Sequence, residues 1–226
     1  PSTCTPYPVP MGLPQVTPPV PYLFRNYEYP QGTTPRFEGS AQFPPWQALR
    51  ATTAAPLYFP PLQLFGRSFQ DGGLLANNPA AIALHEARAL FPGRRIACLV
   101  SLGSGRRKSQ PPASQPIAPP WYTTLKTVAR AASRTEDVHQ VLADTLPHCG
   151  VRYFRLNPPI ESKSALDETS PSKLRELQAI GREAVAEGGC CADAMTALLD
   201  LLTAELLTPP IPHSHPPSSS HPPSSS

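Results

Sequence analysis

Charge is scarce in this chain of 226 residues: Asp, Glu, Lys and Arg make up 15%, and they sum to a formal +3. So weak a balance argues against nucleic acid as a partner, and the Arg106-Arg107-Lys108 cluster reads as a solvated loop that anionic lipid headgroups could attract. The five cysteines (Cys4, Cys98, Cys149, Cys190, Cys191) show no Cys-x-x-Cys spacing, which points to reduced thiols of an intracellular protein. His85-Glu86 opens a zinc-protease pattern, but Ala89 stands where the second histidine belongs, and His139 and His148 have no partner at ligand spacing. No metal or cofactor is expected. No stretch approaches the roughly 18 apolar residues of a spanning helix, and no charged-then-apolar start reads as a signal peptide. Gly103-Ser104-Gly105 lacks the later glycine of a nucleotide fingerprint and reads as a turn.

Proline is what the chain has in excess, with 33 of them against a usual frequency of about 5%. Residues 1–21 hold eight (Pro1, Pro6, Pro8, Pro10, Pro14, Pro18, Pro19, Pro21), and missing amide donors predict a disordered or extended arm. Residues 208–226 repeat His-Pro-Pro-Ser-Ser-Ser and predict a disordered tail. Between them, residues 22–207 read as one α/β body, for which 40% hydrophobic content is enough.

Within that body the patterns predict a strand over Tyr22–Tyr29 and a helix over Trp46–Thr53. Leu57-Tyr58-Phe59 with Leu62, Leu64 and Phe65 are core or, in the sharper reading, line an acyl channel or touch lipid. A helix over Pro79–Phe91, stopped by Pro92-Gly93, precedes Ile96–Leu102, a continuous apolar run that reads as a strand buried on both faces. Further helices are expected over Trp121–Ala132 and from the Ser133–Glu136 capping box to Leu146, with a strand over Val151–Asn157. Ser170-Pro171 opens a helix carrying Leu174, Leu177 and Ile180; Gly188-Gly189 breaks it, and Ala192–Leu207 resumes, both covering the sheet.

Chemistry is concentrated in Phe69–Pro79. Asp71 ends a short strand, exposed; Gly72-Gly73 permits positive φ and close backbone approach; Asn78-Pro79 reads as an N-cap followed by proline at the first helical position. Taken alone, an aspartate before two glycines reads as a hairpin turn.

Its surroundings change that reading. Asp71-Gly72-Gly73 followed by Leu-Leu-x-Asn-Asn-Pro, His85-Glu86-Ala87 and the Val-Ser-Leu-Gly-x-Gly run at 100–105 resembles the patatin-like phospholipases, in particular their calcium-independent gamma-type branch. The likeness extends from Leu23-Phe24-Arg25-Asn26-Tyr27 through Trp46–Pro56, Thr135–His139 and Tyr153–Pro158, and fades near Leu207. It implies a layered α/β fold with a partly parallel sheet. It also implies hydrolysis of phospholipid or other fatty-acyl esters by a serine–aspartate dyad in peripheral contact with a membrane, without a cofactor. On it, Asp71 is the proton acceptor and Gly72 and Gly73 serve its contact with the serine. Relatives of this type imply mitochondria or peroxisomes, although the chain ends in Ser-Ser-Ser rather than a Ser-Lys-Leu address.

The chain departs from the family at the nucleophile, which needs a Gly-x-Ser-x-Gly elbow and a glycine-rich oxyanion loop ahead of it. Gly66-Arg67-Ser68 leads to Gln70 where the second glycine belongs, Gly39-Ser40 lacks the frame, and Gly103-Ser104-Gly105 has another spacing. The expectation is the C-terminal half of a catalytic domain, truncated, spliced or mis-joined, inactive by itself. The alternatives are a non-catalytic lipid- or partner-binding remnant, or a fragment whose exposed sheet edge prevents it from folding alone.

Overall fold

The computed structural model describes residues 2–8, 19–107, 135–161 and 165–207. The predicted helix over Trp121–Ala132 and the tail lie outside them. Strands and helices alternate in a mixed α/β arrangement whose largest sheet has five strands: β1 (Ser2–Pro8), β2 (Tyr22–Phe24), β3 (Glu38–Ser40), β4 (Leu62–Leu64) and β5 (Arg67–Asp71). Their order is β3-β2-β1-β5-β4, with β2 and β3 parallel and the other pairs antiparallel.

Of the two alternatives for the proline arm, residues 2–8 take the extended one, in the middle of this sheet. Hydrogen-bond alternation explains how prolines are accommodated there. The Asp71 amide is turned away from β1, onto the Ala54 carbonyl at 3.1 Å, so Ser68 and Gln70 are the residues of β5 whose amides face β1. Their partners are Tyr7 and Thr5; Pro6 and Pro8 stand opposite Phe69 and Arg67, where β5 asks for no donor. On the other side β2 pairs only with residues 2–4, short of both prolines.

Aromatic residues fill the face of this sheet. Tyr22, Phe24 and Phe69 are buried with Ala51 of α1 (Pro45–Thr52), and Phe43 packs against them. Their rings meet largely edge to face, at 4.9 Å for Phe24–Phe43 and 5.2 Å for Tyr22–Phe69, the geometry the ring quadrupoles favour. The expected strand over Tyr22–Tyr29 ends at Phe24; the Arg25 amide still donates to the Ser40 carbonyl of β3 at 2.9 Å, while its guanidinium is buried.

After β5 come the short α2 (Gly73–Ala76) and α3 (Ala80–Leu90), then β6 (Cys98–Leu102). β6 pairs in parallel with β8 (Arg152–Leu156), and β7 (Arg106–Arg107) pairs in parallel with β9 (Pro159–Ile160) just beyond. Helix α4 (Thr135–Thr145) packs with α3 over β6 and β8 through Ala80, Leu84, Leu142, Leu146 and Val151. Among the described residues only that face of β6 is covered: Val100 is 38% exposed and Leu102 73%, so the strand predicted as buried on both faces has one exposed face and, among the described residues, the single partner β8. Helices α5 (Pro171–Val185) and α6 (Ala192–Leu207) cover less than expected: Ala184, Cys191 and Met195 pack against Leu156 at the end of β8, while Leu174, Leu199 and Leu202 stay exposed. No described helix is long and apolar enough to cross a membrane.

Candidate active site

Alternation along β5 turns Phe69 into the aromatic core and brings Asp71 to the strand's end on the same side, partly buried. There Asp71 Oδ1 accepts the Gly73 amide at 2.7 Å, a turn that the aspartate closes on its own backbone. Its Oδ2 takes no hydrogen bond from a described residue. The Gly72 carbonyl then accepts the amides of Leu75 and Ala76 at 3.0 and 2.8 Å, which starts α2 directly behind the carboxylate.

The turn does not use positive φ at either glycine, and Gly73 serves it by small size. Gly72 has φ −61°, Gly73 lies within α2, and neither adopts the positive φ that the sequence reading allowed. A Cβ on Gly73 would stand 3.0 Å from Asp71 Oδ1 and 3.3 Å from Asn77 Oδ1, tight enough to displace the carboxylate.

The helix start is also displaced by one residue. Pro79 caps α3, and Asn78 acts from just outside it: its Oδ1 accepts the Ala80 amide at 3.3 Å and the Ser101 hydroxyl at 3.0 Å, while its Nδ2 donates to the Thr135 carbonyl at 3.2 Å. Ser101 Oγ in turn accepts from Arg155 at 2.9 Å. Farther along, Asn157 donates to Glu136 at 3.1 Å and accepts the Gly105 amide at 2.9 Å. The segment after Asp71 is thereby tied to β6, β8 and α4. The N-cap signal of Asn78 anticipates its bond to the Ala80 amide but not its ties to Ser101 and Thr135; the signal of Ser101 is a polar residue inside an apolar run.

A second buried group braces the other end of α3. Glu86, 2% exposed, receives Arg25 Nε and the Tyr27 hydroxyl on its Oε2, both at 2.8 Å. Arg25 also donates to the Phe37 carbonyl at 3.0 Å. Burial pulls the Glu86 carboxyl upward, but hydrogen bonds from Arg25, Tyr29 and Tyr27 outweigh it and hold the group below the usual carboxylate value. Tyr27 moves the other way: burial first, then its bond to Glu86, pushes the phenol up. The Leu-Phe-Arg-Asn-Tyr and His-Glu-Ala motifs therefore meet as a single strut joining β2 to α3.

Ser68, in the near-elbow Gly66-Arg67-Ser68, is buried in mid-strand and accepts from Gln63 at 2.9 Å, while Ser104 lies exposed in the turn after β6. Near Asp71, Pro56–Pro61 and Gln70 line a hollow of about 410 Å³. Its apolar residues divide the sequence reading: Leu62 and Leu64 pack against the core, whereas Leu57, Tyr58, Phe59 and Phe65 are exposed. Arg50 clips this loop to α1, donating to the Pro60 carbonyl at 2.7 Å with its guanidinium over the Phe59 ring.

A family model for patatin-like phospholipases matches residues 7–84, a span that includes Asp71 and its turn. The chain is also 43% identical over 164 residues to the calcium-independent phospholipase A2-gamma of Mus musculus and 42% identical to that of Homo sapiens. Residues 7–84 are thus a patatin-like phospholipase segment. Similarity within the family reaches plants, with 33% identity over 199 residues to phospholipase A I of Arabidopsis thaliana. The alignments with the gamma-type relatives cover 71% of this chain and 20% of theirs, so it spans about a fifth of the length of those patatin-like proteins. The match to residues 7–84 begins within β1, so the patatin-like part reaches farther upstream than the motifs beginning at Leu23 indicated.

Proposed function

We propose that Asp71 is the proton acceptor of a serine–aspartate dyad for hydrolysis of phospholipid fatty-acyl esters, and that these 226 residues are catalytically silent until a nucleophile elbow joins them. The observation that carries this reading is the Asp71 carboxylate, held by one oxygen on the Gly73 amide and leaving the other open to a hydroxyl. A base must hydrogen-bond the proton it removes, and an oriented, half-satisfied carboxylate at the end of a strand meets that need. No Gly-x-Ser-x-Gly occurs in the sequence, and Ser68 and Ser104 stand in neither an elbow nor a contact with Asp71. The test is exposure of the purified chain to a fluorophosphonate serine probe and a fluorogenic phospholipid ester. Neither labelling nor turnover is expected; stoichiometric labelling of any serine with ester turnover would overturn the silence of the chain.

The exposed Leu57, Tyr58, Phe59 and Phe65 favour a second reading, in which this apolar loop touches lipid independently of catalysis. Sedimentation with phospholipid vesicles would then be undiminished by Asp71→Asn and reduced by Phe59→Ser together with Phe65→Ser. Absence of sedimentation by the unaltered chain removes this reading.

A further inference from the structure

The turn between α5 and α6 carries two adjacent cysteines for which the hydrolase chemistry has no use. Cys190 is exposed, Cys191 is buried, and their sulfurs stand 3.8 Å apart as free thiols. The backbone holds this pair in place. Gly188 takes φ +78°, a Cβ on Gly189 would run into the Glu183 and Ala184 carbonyls, and the Cys191 amide donates back to the Ala184 carbonyl at 2.8 Å. Cys191 also packs beside Leu156 and Met195, with the Asn157 amide directed at its sulfur. Burial, followed by the Cys190 neighbour, pushes the Cys191 thiol up, so the exposed sulfur is the one that meets reagents. Among the described residues no set of three or more metal-ligating side chains forms around the pair.

We propose that Cys190-Cys191 is a modification site for hydroperoxides, in which Cys190 takes the oxidant and Cys191 resolves it. An exposed thiol with a second thiol within reach is the arrangement that makes oxidation reversible. In the first step the Cys190 thiolate attacks the terminal peroxide oxygen, the O–O bond breaks, and the remainder leaves as an alcohol after taking a proton, giving a sulfenic acid. In the second, the Cys191 sulfur attacks the Cys190 sulfur, the S–O bond breaks, and the hydroxyl leaves as water with the Cys191 proton. Two thiols together lose two electrons and two protons, and the hydroperoxide is reduced to alcohol and water. Consecutive Cα atoms lie about 3.8 Å apart, shorter than the roughly 4.4–6.8 Å span of ordinary disulfides, so the product is strained and small thiols reverse it readily. Closure also withdraws the Cys191 sulfur from the Asn157 amide, at the end of β8 where Asn157 holds Gly105 and Glu136.

The experiment treats the full chain with hydrogen peroxide and follows intact mass and the peptide that holds both cysteines. The expected result is loss of two hydrogens in that peptide, restored by dithiothreitol, with Cys191→Ala instead gaining oxygen at Cys190. Oxygen added to Cys190 of the unaltered chain with no internal disulfide would overturn the proposal. Because Cys191 is buried and its replacement can unfold the turn, phenylarsine oxide on the unaltered chain gives an independent test. One arsenical bridging the two sulfurs and blocking the peroxide reaction is expected, and failure to bridge them contradicts the pairing.

Discussion

Asp71 ends β5 and Glu86 lies on α3, and the fold uses these two carboxylates in opposite ways. Glu86 is sealed from water and surrounded by donors from Arg25 and Tyr27. Asp71 is partly buried, with one oxygen on a backbone amide and the other taking no hydrogen bond from a described residue. A saturated carboxylate with a buried cationic partner has nothing left to accept and serves as a strut. A half-satisfied carboxylate, oriented by a turn that a Cβ on Gly73 would crowd, can still take a proton. Sequence motifs single out both residues; burial and donor count distinguish them.

Removing the strut should have the largest effect. Glu86→Ala leaves the Arg25 guanidinium buried without its counter-charge, and a loss of about 3–5 kcal/mol is expected in urea denaturation of the full chain. Arg25→Met combined with Glu86→Leu should recover most of it, since no charge is then buried. The same residue predicts acid sensitivity. Its folded pKa lies below the ordinary value of 4.5, so its contribution is complete above that value and is lost as pH falls through the lowered one. Glu86→Gln should flatten that part of the stability–pH curve.

Next in size is Asn78→Ala, which removes the acceptor of the Ser101 hydroxyl proton and of the Ala80 amide and should cost about 1–3 kcal/mol. Gly73→Ala should cost about 1 kcal/mol, chiefly by pressing on Asp71 Oδ1. Asp71→Asn should be smallest, within about 0.5 kcal/mol, because an amide oxygen accepts the Gly73 amide equally well. A large stability loss from Asp71→Asn with a negligible one from Glu86→Ala would reverse the assignment of the two carboxylates.

Local signals made much of this legible. Ser170-Pro171 and Gly188-Gly189 bound α5, the Pro92-Gly93 stop ends α3, and the turn at Asp71 lies where a lone carboxylate before two glycines placed it. What failed depends on partners distant in the chain. Pro6 and Pro8 read as strand breakers until the sides on which β5 and β2 need donors are known. The apolar run of β6 resembles a doubly covered strand, yet only its pairing with β8 and its one helical cover decide that Leu102 is wet. Arg25 and Glu86 lie 61 positions apart, and neither motif reveals the other. The glycine pair was noticed for two properties, of which the fold uses close approach and leaves positive φ unused.

The most direct test of the account joins a Gly-x-Ser-x-Gly elbow segment of a gamma-type relative ahead of this chain and measures phospholipid ester turnover with Asp71 intact and as Asp71→Asn. Turnover that appears on joining and falls by roughly 10³–10⁴-fold in the variant, with folding stability unchanged, is the predicted result. Turnover that survives Asp71→Asn would contradict the assignment of this carboxylate as the base.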